Sequence, residues 1–145
     1  MASLKIHKGY MLFLQRLFKH TGPGQDERFV VPSFAAQIAR IETGRQTGPM
    51  QVGNLSAERD FLDVADVVDA YVAVLREVRS MDAGTHAFNV CSSQVRSIQS
   101  VLDNLMTMSR VDIDVKAELA RMRPSDIPRA AATGEKFQHY FGWKP

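Results

Sequence analysis

Along the chain the spacing of apolar side chains changes period several times, and each period predicts an element. Val64, Val67, Val68, Tyr71, Val72, Leu75 and Val78 recur at intervals of three and four residues. Asp63 stands just ahead of them, where its carboxylate can accept from the first free N–H groups, so a capped amphipathic helix is predicted. The same spacing joins Phe34, Ile38 and Ile41 in the stretch from Phe29 to Ile41, with Gly44 placed as a C-terminal cap glycine. It returns in Ile98, Val101, Leu102, Leu105 and Met106 behind a capping Ser97.

Between these helices the period shortens. Met50 to Val52 follows a Gly-Pro break and is closed by Gly53-Asn54, which predicts a short strand ending in a turn. His86 to Val90 reads as a buried strand. Val111, Ile113 and Val115 alternate with Asp112, Asp114 and Lys116, the period of a strand with one buried face. After an irregular segment at Arg123-Pro124-Ser125-Asp126, a short helix is expected from near Thr133 to just before Gly142. Strands alternating with helices imply an α/β layout.

Composition narrows the setting. With 145 residues, 45% hydrophobic and 23% charged, the chain has an ordinary globular make-up and the length of one domain. A net charge of +2 suits an anionic ligand but lacks the clustered Lys and Arg of a nucleic-acid groove, so no nucleic-acid partner is expected. The lone Cys91 cannot form an internal disulfide, and no metal-ligand cluster accompanies it, which fits a reducing cytoplasm. The apolar run Tyr10 to Leu14 is broken by Gln15 and Arg16, far short of the ~20 residues of a membrane span. No small-residue cleavage site follows, so neither a membrane anchor nor secretion is expected.

Two arginines are candidates for anion chemistry. A nucleotide diphosphate held away from water needs fixed cations, and the forked guanidinium supplies two parallel donors. Arg59 lies between the Gly53-Asn54-Leu55 turn and the helix capped by Asp63, while Arg123 opens a loop stiffened by Pro124. Taken singly, Arg59 reads more readily as an ion pair with Asp60 or Asp63, and Arg123 as a solvated loop charge, than either does as a ligand group.

Their surroundings add a resemblance. His20-Thr21-Gly22-Pro23-Gly24-Gln25, Gly53-Asn54-Leu55 with Arg59-Asp60-Phe61 and Asp63-Val64, Phe88-Asn89-Val90-Cys91-Ser92, Arg123-Pro124-Ser125-Asp126 and Gly142-Trp143-Lys144-Pro145 occur in order. Together they resemble the extended short-chain dehydrogenases/reductases acting on GDP-mannose derivatives, the GDP-mannose 4,6-dehydratase and GDP-4-keto-6-deoxymannose reductase group. In that family an amino-terminal Rossmann domain holds NAD(P) and a smaller carboxy-terminal α/β part closes over the sugar nucleotide. The resemblance runs from about Arg16 to Pro145, and implies an α/β carboxy-terminal substrate-binding domain without a complete Rossmann domain. It implies that Arg59 contacts the diphosphate or the ribose, that Arg123 pairs with the diphosphate, that Asp126 accepts from ribose hydroxyls, and that Asn54 and Leu55 line the guanosine pocket. Val30 and Ser33 would lie along the nucleotide. The Phe88 to Ser92 strand leans towards the reductase.

The chain also departs from that pattern. Lys19 stands where the family carries an asparagine that contacts the sugar, and an ammonium cannot reproduce an amide's paired donor and acceptor. Gly22-Pro23-Gly24 is followed by Glu27 rather than a third glycine, so it reads as a rigid turn and not a dinucleotide fingerprint. The family's catalytic tyrosine and lysine, four residues apart on one helical face, have no counterpart. Tyr10 and Tyr71 are followed at that interval by Leu14 and Leu75, and Tyr140 and Lys144 are separated by Gly142. Residues 1–15 read as a divergent remnant leading into a strand that ends near Phe18, and residues 16–145 as the sugar-nucleotide-binding domain. The expectation is the substrate-binding portion of an NAD(P)-dependent GDP-sugar dehydratase or reductase, inactive alone and binding no cofactor by itself. Its partners would be a GDP-sugar and either a second copy or a missing Rossmann half. A non-catalytic interaction module and a decayed gene product are the alternatives.

Overall fold

The structure is a computed structural model that describes residues 2–6, 9–122 and 127–145. In chain order its elements are β1 (Ala2–Ile6), β2 (Gly9–Leu17), β3 (Lys19–Thr21), α1 (Val30–Glu42), β4 (Met50–Val52), β5 (Glu58–Asp63), α2 (Val64–Glu77), β6 (Gly84–Val90), β7 (Val95–Ser97), α3 (Ile98–Met106), β8 (Val115–Ala117), β9 (Arg129–Ala130) and α4 (Glu135–Phe141). They fall into two interleaved units, Met1–Gly22 with Asp60–Gln94 and Ala131–Pro145, and Pro23–Arg59 with Val95–Ala130.

In the first unit β2 is the middle strand of a three-stranded sheet. It runs antiparallel to β1, with Ala2 opposite Phe13, and parallel to β6, with Leu17 opposite Val90. The core gathers Leu62, Val67, Ala70, Val74, Phe88, Val90, Phe137 and Trp143. Alternation along β6 turns Phe88 and Val90 to one face, where the Phe88 ring meets Phe137 at 5.8 Å and Phe141 at 5.1 Å between centroids. Trp143 is buried with its indole N–H satisfied, donating to the Asp66 carbonyl at 3.1 Å.

α2 begins as its sequence predicts, with the Asp63 carboxylate accepting from the Ala65 N–H at 2.8 Å. Its apolar stripe divides, however. Val67, Ala70, Val74 and Val78 are buried, whereas Val64, Val68, Tyr71 and Leu75 stay exposed. The stripe read from spacing is wider than the face that β3 and α4 cover.

The Phe88-Asn89-Val90-Cys91-Ser92 segment is held at its carboxy-terminal end. Asp60, fully buried, accepts from the Ser92 N–H at 2.8 Å, and Ser93 Oγ accepts from the Gly134 N–H at 2.9 Å. Gly134 has to be small, because a Cβ there would lie 3.0 Å from the Cys91 carbonyl oxygen. Burial pushes the Cys91 thiol up from its ordinary range, and the S–H points at the Ala132 carbonyl at 3.6 Å. The unfolded chain therefore releases this proton first, so the thiol's contribution to stability is intact below about pH 8.5 and is lost as pH rises through the folded value. Urea midpoints should fall between pH 7 and pH 9.5 by more in the native sequence than in Cys91→Ala. Equal falls in the two proteins would remove Cys91 as the cause.

In the second unit α1 packs against α3 and β4, and the buried apolar side chains are Phe34, Ile38, Met50, Val52, Ala57, Ile98 and Leu102. α1 ends at Thr43 with Gly44 beyond it at φ +68°, its N–H donating to the Ile41 carbonyl, and Ser97 Oγ caps α3 by accepting from the Ser100 N–H at 3.0 Å. β4 pairs in parallel with β8, Met50 opposite Val115. The alternation at Val111, Ile113 and Val115 predicted a longer strand with a buried face, but the strand is confined to Val115–Ala117 and all three of its residues are exposed. Its one strand partner among the described residues is β4, and no layer covers its faces, so alternation here marks an edge.

β5 is common to both units. Its residues Phe61 to Asp63 pair in parallel with β3, and Glu58 and Arg59 pair in parallel with Arg129 and Ala130 of β9. Among the described residues, no helix is long and apolar enough to cross a membrane.

Candidate functional site

The second unit brings together the largest share of the residues singled out from sequence. α1 is approached through a turn in which Asp26 accepts from the Arg28 backbone N–H at 2.8 Å and from its guanidinium at 3.0 Å. Both bonds, the backbone one first, hold the Asp26 carboxyl below its usual range. Val30 opens the helix and Ser33 follows one turn later, both half-buried. Ser33 Oγ accepts from Arg121 Nη1 at 3.4 Å and from Gln37 Nε2 at 3.5 Å, long bonds that set direction more than strength.

Gln37 is nearly fully buried, and its amide takes the place of a neighbouring strand. Nε2 donates to the Gln51 carbonyl at 3.0 Å while Oε1 accepts from the Gln51 N–H at 2.9 Å. β8 satisfies β4 elsewhere: the Met50 N–H donates to Asp114 at 2.7 Å and the Val52 carbonyl accepts from Glu118 at 2.9 Å. β4 is thus bonded to α1 by a side chain and to β8 by backbone, which fixes where the following turn leaves the strand.

That turn is Gly53-Asn54-Leu55. A Cβ on Gly53 would lie 2.6 Å from the Arg121 carbonyl oxygen, so the backbone of the short turn Leu119–Arg121 rests directly on this glycine. Asn54 Oδ1 accepts from the Ser56 N–H at 3.0 Å and from Ser56 Oγ at 2.8 Å, a side-chain turn that shapes the loop. The carbonyls of Leu55 and Ala57 accept from Gln99 and Ile98 at 2.9 Å each, so the loop also takes up the first N–H groups of α3.

Arg59, the second residue of β5, is half-buried, and its Nη1 donates to the Glu58 carbonyl at 2.8 Å. Its strand is held against β9, helped by an Arg129 to Glu58 ion pair at 3.4 Å whose exposure makes it weak. Arg123 and Asp126 lie outside the described residues. Their flanks do not: Arg121 docks on Gly53 and Ser33, and Arg129-Ala130 pair with Glu58-Arg59. From residue 122 to residue 127 an extended chain spans at most about 18 Å.

Lys19 belongs to the first unit, exposed on β3 opposite Phe61. Sequence reasoning missed Gln37 and Arg121. The first looked like one more polar residue on a helix. The second had a signal in the Arg-x-Arg-Pro run, two residues ahead of Arg123.

A Cβ on Gly22 would run into Val64 Cγ1, so this glycine serves close packing against the start of α2. Gly24 takes φ +81° in a turn, and α1 begins only at Val30, so the glycines do not lead straight into a helix N-terminus. Gly22 and Gly24 therefore do not form a dinucleotide-binding glycine turn. Tyr140 lies in α4, which stops at Gly142 with φ 62°, so Tyr140 and Lys144 share no helical face. No group of His, Cys, Asp and Glu among the described residues could hold a metal ion.

Residues 2–145 match the GDP-mannose 4,6 dehydratase family. The GDP-6-deoxy-D-mannose reductase of Pseudomonas aeruginosa is 37% identical over 140 residues, which is 97% of this chain and 45% of the relative. GDP-mannose 4,6 dehydratase 1 of Arabidopsis thaliana is 27% identical over 135 residues, 89% of this chain and 35% of the relative. Among solved structures, that of RMD from Pseudomonas aeruginosa complexed with NADPH superposes with a TM-score of 0.80 at 34% identity, covering 92% of this chain and 42% of the other. The chain thus spans less than half the length of the relatives it matches. With the family's pattern matched almost end to end and the fold shared, this chain belongs to the GDP-mannose 4,6-dehydratase family of extended short-chain dehydrogenases/reductases, of which it carries a partial, carboxy-terminal α/β domain.

Proposed function

We propose that this chain binds the nucleotide diphosphate of a GDP-linked hexose through its second unit and does not turn the sugar over by itself. The observation that carries this reading is the double anchoring of the segment bearing Arg123 and Asp126. Its upstream flank rests on Gly53 and Ser33, and its downstream flank pairs with the strand of Arg59. A pyrophosphate needs fixed cations wherever water is excluded, and forked guanidinium groups such as those of Arg59 and Arg123 are suited to supply them.

In this reading Arg59 and Arg123 neutralise the diphosphate and Asp126 accepts from ribose hydroxyls. Asn54 and Leu55 line the base, Val30 and Ser33 run along the nucleotide, and Arg121 holds Ser33 in place. The relatives' names attach them to GDP-6-deoxy-D-mannose and GDP-mannose, which supports the guanosine-linked sugar. The chain itself supplies no hydride carrier and no tyrosine-lysine proton donor, so binding without turnover is expected.

Titration calorimetry with GDP, GDP-mannose and NADPH tests this. GDP and GDP-mannose should bind and NADPH should not. Each of Arg59→Ala and Arg123→Ala should weaken GDP by about 10- to 100-fold, the worth of one charged hydrogen-bonding group at about 1.5–3 kcal/mol. NADPH binding as tight as GDP, or arginine variants that bind GDP like the parent, would overturn the assignment.

A further inference from the structure

We propose that Gln37, acting through Ser33 and β4 and not by contact, is the positioning residue of the nucleotide site. Its buried amide fixes Ser33 and the strand leading into Gly53-Asn54-Leu55 in one arrangement, and affinity for a GDP-linked sugar depends on it. This role rests on the nucleotide reading of Ser33 and of that turn. Gln37 is 2% exposed, and both ends of its amide are shared. Nε2 donates to the Gln51 carbonyl at 3.0 Å and to Ser33 Oγ at 3.5 Å. Oε1 accepts from the Gln51 N–H at 2.9 Å and from Gln46 Nε2 at 3.4 Å. An amide engaged on every side has no second orientation of equal energy, and a buried network satisfied in this way rigidifies what it joins.

What it joins are two pieces of the candidate site. Ser33 lies one helical turn before Gln37 on α1, and Gly53 follows directly on the strand that Gln51 belongs to. Arg121 closes the circuit from outside, with its carbonyl oxygen against Gly53 and its Nη1 on Ser33 Oγ. Gln51 and Arg121 are exposed and Ser33 is half-buried, so Gln37 is the member of this ring that water replaces least. The two donors that converge on Ser33 Oγ also leave the hydroxyl's own proton to be given away. Ser33 is thereby set as a donor towards a ligand oxygen. An apolar side chain of similar volume at position 37 would free Ser33 to turn and β4 to shift while the core stays filled, the loosening that a recognition site tolerates least.

Calorimetric titration of the full chain with GDP-mannose, from about pH 5 to about pH 8.5, tests this role. The diphosphate of GDP-mannose is esterified at both ends, so unlike GDP it has no phosphate titrating near pH 6. Gln37→Leu should bind about tenfold or more weakly, and Gln37→Met takes its place should the leucine variant not fold. Gln37→Glu separates positioning from folding. While ionised it accepts from the Gln51 N–H but donates to neither the Gln51 carbonyl nor Ser33, and it should bind at least about fivefold more weakly than the parent. Burial disfavours the charged form, and the protonated carboxyl presents an O–H and a C=O as the amide does, so affinity should return to within about threefold of the parent towards pH 5. The charged groups around position 37 are Arg40, paired with Glu27, and Glu42 on α1, Asp103 on α3, and Arg121 with its partner Glu118, while β4 carries none. The parent and Gln37→Leu carry all of them, so a pH response confined to Gln37→Glu belongs to position 37. A role in folding alone would lower the unfolding midpoint and leave the affinity of the folded chain unchanged. Folded variants that bind like the parent, or a folded Gln37→Glu that stays weak at pH 5, overturn the proposal. A parent chain that binds no GDP-mannose overturns the nucleotide reading itself, and the role of Gln37 falls with it.

Discussion

Replacing Gln37 with leucine should destabilise the second unit by about 1–3 kcal/mol, because two part-buried backbone groups of the exposed Gln51 lose their partner at once and water can replace it only in part. Leucine fills much the same volume, so the loss is polar and not a cavity. The Gln51 N–H and C=O point away from β8 and towards the Gln37 amide. Gln37→Glu should fall between, since it still accepts from the Gln51 N–H but cannot donate to its carbonyl while ionised. Hydrogen exchange reads the effect directly: the Gln51 amide should lose protection in Gln37→Leu while amides of β6, in the first unit, keep theirs. Unchanged protection at Gln51 would show that the bridge is dispensable.

The second large effect is expected at Gly53. Valine there would place its Cβ 2.6 Å from the Arg121 carbonyl oxygen, backbone against backbone, with no flexible side chain to yield. Overpacking of this kind costs about 1–3 kcal/mol. The larger consequence is geometric. To relieve the clash the Leu119–Arg121 turn must move off the Gly53-Asn54-Leu55 loop. If this loop and turn border the proposed nucleotide site, GDP affinity should drop by about 100-fold or more, beyond the effect of either arginine alone. Arg121→Ala is the control. It removes an exposed bond of 3.4 Å to Ser33 and leaves the backbone contact, so stability should change by less than about 0.5 kcal/mol. Gly53→Val that binds GDP normally would mean the loop and the turn are not part of one site.

Much of the secondary structure could be read from local pattern. Asp63 and Ser97 cap the helices they precede, Gly44 and Gly142 stand beyond helix ends with positive φ, and Met50–Val52 is a strand closed by a turn glycine. The candidate site was legible in part. The Gly53-Asn54-Leu55 turn and Arg59 stand out by residue type, and the Arg123 to Asp126 segment by its proline and charge. What spacing alone could not reveal is that the glycine of the first is the seat of the turn leading into the last.

Caps, turns and helical or strand period depend on neighbours within about four residues, through hydrogen bonds and steric limits that travel with the sequence. These the chain determined by itself. Which flank of α2 is buried, whether the alternation at Val111 to Val115 has a face to hide, and what Gln37 bonds to were decided only by tertiary structure. The reason is physical: burial and long-range hydrogen bonds belong to pairs of surfaces, and the second surface in each case comes from a distant part of the chain. Gln37 and Gln51 are 14 residues apart, Ser33 and Arg121 are 88 apart, and no local period encodes either meeting.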